Sequence, residues 1–302
     1  AASDVYKRQI LLHESGYRET STTGAHGEYR ADVFHNRVVA RKGRIDLSSR
    51  LLPQIMDLGR HRHVRTKLMF FHSMKEVDVS RSRVVDEDLG YQWDRVVNYL
   101  KRKKLFVLFD IVKTLRLGSY SFTNLFWTRQ IENNGENWFD TWIDKFHDLL
   151  QWGDGWWLSP EPPHRSNLLI YLCENEGRKI GVEQGRKSYQ SELCIYNCSS
   201  DSFDKDAYIV FSTVLIPHAL DEKAEDLAKR ISKVTPLDGK GVAVKLDSPN
   251  STILVGSKLD LKLGWLKDRT RPAYTFEAGK VDYAGAVTDA SMFYLHTRGE
   301  QE

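Results

Sequence analysis

Residues 20–30 (TSTTGAHGEYR) bring His26, Tyr29 and Arg30 close together in a small, polar, glycine-containing stretch. That composition predicts a loop, and loops carry binding and catalysis more often than strands do. Arg30 suits two-point capture of a carboxylate, while His26 and Tyr29 can give or take a proton. A plain solvated loop accounts for the same residues. Farther along, Arg60, His61, Arg62, His63 and Arg65 form a basic cluster that suits either an anionic groove or a solvated turn. Trp152, Trp156 and Trp157 follow Trp138 and Trp142 in a stretch rich in Gly and Pro. Flat indole faces stack on sugar rings, and dense tryptophan equally marks an interface with another domain. Cys173, Cys194 and Cys198 have neither zinc-site spacing nor a disulfide framework, so they read as small buried side chains.

These side chains need a scaffold, and the dominant period in the sequence is two. Short β-branched and aromatic runs recur near residues 32–40, 77–85, 91–99, 105–112, 120–127, 168–173, 179–183, 193–196, 208–216, 242–246, 252–256, 273–276 and 292–296. Such runs, several about ten residues apart and broken by polar turns, predict an all-β fold: a large antiparallel β-sandwich with one or two short helices. Val77, Val79, Arg81 and Arg83 fall on one face of their run, with Asp78, Ser80 and Ser82 on the other. The unbroken run Leu105-Phe106-Val107-Leu108-Phe109 predicts a central strand covered on both sides. Helical spacing over residues 220–232 predicts a helix after Pro217, and residues 137–150 are a second, short candidate.

Composition narrows the function classes. Hydrophobic residues make up 41% and charged residues 28%, which excludes a disordered chain. No apolar run approaches the ~18 residues of a membrane helix, so no membrane partner is expected. Residues 1–116 carry 23 Lys/Arg against 14 Asp/Glu, while the remainder carries 21 against 27. A basic front part suits an anionic partner. The basic residues are scattered and match no nucleic-acid motif, so nucleic acid is not expected as a partner.

Three stretches, in order, resemble the C-terminal β-domain of heparinase II/III-like polysaccharide lyases. They are Leu11-Leu12-His13-Glu14-Ser15-Gly16-Tyr17, then Phe34-His35-Asn36-Arg37-Val38-Val39, then Arg95-Val96-Val97 through Leu105–Asp110 and Ile111-Val112 to Phe122–Trp127. Glu14 stands where the family usually has Asp, and Arg37 where Thr is common. The family's Gly-His motif would fall before residue 10. Residues 1–9 resemble a translated sequencing adapter, so the domain expected from the sequence spans residues 10–302.

The resemblance implies cleavage of acidic, uronate-containing polysaccharide by β-elimination. The proton next to a uronate carboxylate is weakly acidic. Its removal needs groups that neutralise the carboxylate and a base such as Tyr or His. In the family those catalytic groups sit mainly on a helical toroid ahead of the sandwich, so the expected partners are the polysaccharide and that toroid. The resemblance also implies a metal role for Glu14 and His35, as two ligands of a structural zinc in the intact protein. Substrate contacts are expected from His26, Tyr29, Arg30, Trp156 and Trp157, and a polymer substrate implies that the intact protein is periplasmic or secreted. A non-catalytic carbohydrate-binding or structural sandwich is the alternative.

Overall fold

The computed structural model describes residues 31–57, 64–142, 166–173, 177–187, 190–265 and 279–298, with the short stretches 5–6, 9–10, 12, 151–152, 155–156 and 272–275. The fold is all-β, and the strand pairs are antiparallel. Its chain divides into two compact units, each assembled from three separate stretches of sequence.

The first unit contains residues 1–63, 116–205 and 215–225. Its four-stranded sheet has the order Arg178–Lys187, Gln190–Phe203, Gly118–Thr128, Val38–Lys42. Alternation puts Cys194, Tyr196 and Cys198 on the same face as Leu125 and Trp127, since Cys194 lies opposite Trp127 and Tyr196 opposite Leu125. That face is covered by Ala31, Val33, Phe34, Leu51, Leu52 and Ile55, which makes one apolar cluster. Trp127 is its anchor: its ring lies 5.9 Å from that of Phe34, and its indole N–H donates to the Val33 carbonyl at 2.9 Å. Gly185 makes room for it, because a Cβ there would meet the Trp127 ring at 2.8 Å and Leu52 at 2.9 Å. A second set of strands in this unit has the order Gln130–Asn134, Trp138–Trp142, Ser166–Leu172, followed by the closing residues of Tyr208–Ala219.

The second unit contains residues 64–115, 206–214 and 226–302. Here Arg65–Ser73, Val77–Asp86, Tyr91–Leu100 and Leu105–Thr114 follow in order, with the opening residues of Tyr208–Ala219 beside the last. A separate sheet has the order Ile231–Val234, Gly241–Ser248, Ser251–Lys258, Met292–Arg298. Ala243 and Leu254 on one face of it pack with Val281 and Tyr283. The expected alternation of residues 77–83 is present: Val77, Val79 and Arg81 are buried, Asp78 and Ser80 less so, and Ser82 is exposed. The run from Leu105 to Phe109 lies in an interior strand, with Val107, Leu108 and Phe109 buried.

Three local expectations are corrected. Residues 220–232 form a helix only over Ala224–Ala228, and Ile231–Val234 is a strand paired with residues 243–246. Only Ala224 and Ala228 supply a buried stripe, while Leu220 is exposed, so the apolar face supports little more than one turn. Residues 138–142 are a strand rather than a helix, since Trp138 to Thr141 pair with Tyr171 to Leu168; residues 143–150 lie outside the described ones. Residues 32–34 form a 3-10 turn, and the strand expected from residue 32 begins at Val38. A four-residue helix at Leu52–Ile55, with Pro in its first turn, went unforeseen. Its open N-terminus is met from far along the chain by Glu183, whose carboxylate accepts from the backbone N–H groups of Leu51 and Leu52.

Candidate functional site

Of the side chains expected to hold a metal or meet the uronate carboxylate, His35 is the one whose surroundings are described. It ends the 3-10 turn, and its backbone N–H donates to the Asp32 carbonyl at 3.3 Å. The turn is pinned on both sides. Arg41 grips the Asp32 carboxylate with two nitrogens at 2.7 and 2.8 Å and donates from Nε to the Ile55 carbonyl at 2.8 Å. Asn36 accepts from the Trp127 backbone N–H at 2.8 Å, and the Arg37 carbonyl accepts from Leu125 at 3.0 Å. A two-point guanidinium–carboxylate contact fixes geometry as well as adding energy. His35 is therefore presented, half-buried, from a backbone corner locked to the central sheet of the first unit. An imidazole in that setting can hold a metal, give a proton or take one.

Glu14, His26, Tyr29, Arg30 and Trp157 lie outside the described residues, as do Arg60 to His63. Trp156 lies in a two-residue strand, Gly155–Trp156, paired with Gln151–Trp152. Among the described residues, no group of three or more His, Cys, Asp or Glu side chains gathers as a metal site requires. The described donors do not by themselves make a zinc site.

Other titratable groups are shaped by burial. The Tyr196 and Tyr283 hydroxyls are pushed up to about 12, chiefly by burial. Burial also raises Tyr208 and Tyr294. A tyrosine acting as a base must lose its proton near neutral pH, and these four are shifted the wrong way. The three cysteines are buried, reduced thiols, as their spacing suggested, and burial pushes Cys198 up to about 11. A thiol so shifted is chemically quiet.

One charged pair was not foreseen. His218, nearly inaccessible to solvent, places Nε2 3.0 Å from Asp140 Oδ1 and Nδ1 3.0 Å from the Ala219 carbonyl. Both partners are acceptors, so the ring is satisfied when both nitrogens carry protons. Burial works against that charge, but the hydrogen bond and charge of Asp140, with the Ala219 carbonyl, outweigh it and raise the His218 pKa. The two residues are 78 positions apart, and no local pattern links them. Closed off from substrate, the pair is a structural tie rather than a catalytic dyad.

No protein-family model matches the chain. No curated protein matches it either. Solved structures do. A mutant of heparan sulfate lyase HepC from Pedobacter heparinus aligns with a TM-score of 0.53 at 13% identity, over 84% of this chain and 35% of its own. A structure of heparinase III aligns with a TM-score of 0.51 at 13% identity, over 97% of this chain and 34% of its own. The chain thus spans about a third of the length of the proteins it resembles. At such identities the likeness is one of fold: this all-β chain has the fold of part of a heparinase-type lyase.

Proposed function

We propose that the chain is the β-sandwich portion of a lyase that cleaves acidic, uronate-containing polysaccharide by β-elimination. The observation that carries this reading is the alignment of 84% of the chain onto about a third of a heparan sulfate lyase. The order of the three sequence stretches around Glu14, His35 and Asp110 supports it independently. Tyr196, Tyr208, Tyr283 and Tyr294, whose hydroxyls burial raises, are poor candidates for the base. In this reading a helical toroid supplies that base, and the sandwich forms one wall of the cleft. Residues His26, Tyr29 and Arg30 face the uronate carboxylate, Trp156 and Trp157 meet the sugar rings or the toroid, and His35 stands near the site on its fixed corner.

The test compares this chain alone with a version extended by its natural upstream coding sequence, on heparan sulfate and on unsulfated uronate polymers. Ultraviolet absorbance of unsaturated uronate ends is expected from the extended protein and not from the chain alone. In the extended protein, Arg30→Ala should raise KM about tenfold by removing one charge-assisted contact. Absence of unsaturated product from the extended protein on every uronate polymer would overturn the lyase reading.

A further inference from the structure

A cavity of about 220 Å³ in the second unit is lined by Lys113, Lys240, Lys258 and Lys280, with Tyr208 and Asp260. Nothing in the lyase reading uses it. Four ammonium groups stand against Asp260 and the Asp206 that pairs with Lys113, which leaves it net positive, and two of its charges, on Lys113 and Lys258, are held in place. Lys258 is buried at the end of strand Ser251–Lys258 and donates to the Gly279 and Asp289 carbonyls at 2.8 and 2.9 Å. Lys113 pairs with Asp206 at 3.1 Å and lies 5.3 Å from the centre of the Tyr208 ring. Lys240 and Lys280 come in on two turns, each directly after a glycine with positive φ, 65° at Gly239 and 139° at Gly279. Among the described residues, no side-chain acceptor reaches either of these two exposed lysines. Buried Leu259 and Val281 close the floor.

We propose that this cavity binds a tetrahedral oxyanion, the sulfate group of a sulfated saccharide or the free inorganic anion. The lining holds lysines and no arginine. An ammonium is a compact point charge with three rotatable donors, suited to a tetrahedral group, whereas the flat guanidinium fork is the better match for a carboxylate. Lys240 and Lys280 supply the open contacts, Lys113 and Lys258 the fixed field behind them, and Asp260 limits how much negative charge is welcome. The site is independent of the lyase reading and stands or falls apart from it.

The test is calorimetric titration of the purified chain at low ionic strength with sodium sulfate, with a disaccharide carrying one sulfate ester, and with its desulfated counterpart. Saturable binding is expected. Tighter binding of the sulfated disaccharide than of inorganic sulfate, with none by the desulfated sugar, places the anion on a saccharide. Equal binding of both sulfates assigns the site to the free anion. Lys240→Ala and Lys280→Ala, at exposed positions that leave the core intact, should each weaken binding about tenfold. Asp260→Asn should tighten it, and Lys223→Ala, in the other unit, should leave it unchanged. The proposal is overturned if neither sulfate saturates the protein, if the two lysine variants bind as the parent does, or if Asp260→Asn weakens binding in a chain that still melts normally.

Discussion

The two units bury similar strands by different means. In the first, an aromatic and aliphatic cluster around Trp127, Phe34, Leu51 and Ile55 covers the sheet. In the second, charge does a share of the holding. Arg81 and Arg83, side by side on one face, both grip Asp94, with the Nε contacts at 2.7 Å. Their remaining nitrogens reach the backbone carbonyls of Lys258, Leu259 and Leu261 at 2.7 to 3.0 Å, where strand Ser251–Lys258 ends. One rung along, Asp110 accepts from Trp93 and Arg95 in the same way. Apolar packing tolerates small shifts of shape, whereas a buried ionic clamp works only while all its members are present. The first unit should therefore lose stability gradually with lost volume, and the second abruptly with a lost charge.

Asp94→Ala is the sharpest way to break that comparison. It leaves two guanidinium groups facing each other, one of them 1% exposed, without their carboxylate. Breaking a buried pair by removing one partner costs about 3–5 kcal/mol. Hydrogen exchange should show protection falling in Val77–Asp86 and Tyr91–Leu100 while Gln190–Phe203 keeps its own. Equal losses in both units would mean that the clamp is not a local device.

Trp127→Phe probes the other side with a smaller effect. It keeps a ring in the cluster but removes the donor to the Val33 carbonyl and part of the volume beside Gly185. A net loss of about 1–3 kcal/mol is expected in denaturant titration, with Gln190–Phe203 losing protection first. A loss as large as that of Asp94→Ala would erase the distinction between graded and abrupt failure.

The sequence carried the fold class because period two is written in neighbouring residues: Val77, Val79 and Arg81 announce one buried face, and the run at Leu105 announces an interior strand. It did not carry what depends on distant partners. Trp138 to Trp142 has the composition of either element and becomes a strand because Ser166–Leu172 lies alongside. The end of the helix at Ala228 is set by Ile231–Val234 joining a sheet. No boundary between units was visible because each is woven from three separate stretches of sequence. Among the candidate residues, His35 was singled out through its motif. The lysine cavity was not, since residues 113, 240, 258 and 280 meet only through the fold.

The smallest effect expected concerns the buried His218–Asp140 tie in the first unit, and it has a definite sign. The pKa of His218 is raised above its ordinary 6.5 by the balance of burial against Asp140 and the Ala219 carbonyl. A group whose folded pKa lies above its unfolded value contributes fully below the unfolded pKa, where both states hold the proton. As pH rises past about 6.5 the unfolded chain releases its proton while the folded chain keeps it, so stability falls until the folded pKa is passed. Denaturant midpoints measured from pH 5.5 upward at constant salt should therefore decline on the alkaline side, and His218→Gln, neutral throughout, should flatten that part of the profile. An unchanged slope in His218→Gln would assign the decline to other groups and leave the buried His218–Asp140 tie with no measurable share in holding the first unit, which would sharpen the contrast with the clamped second unit.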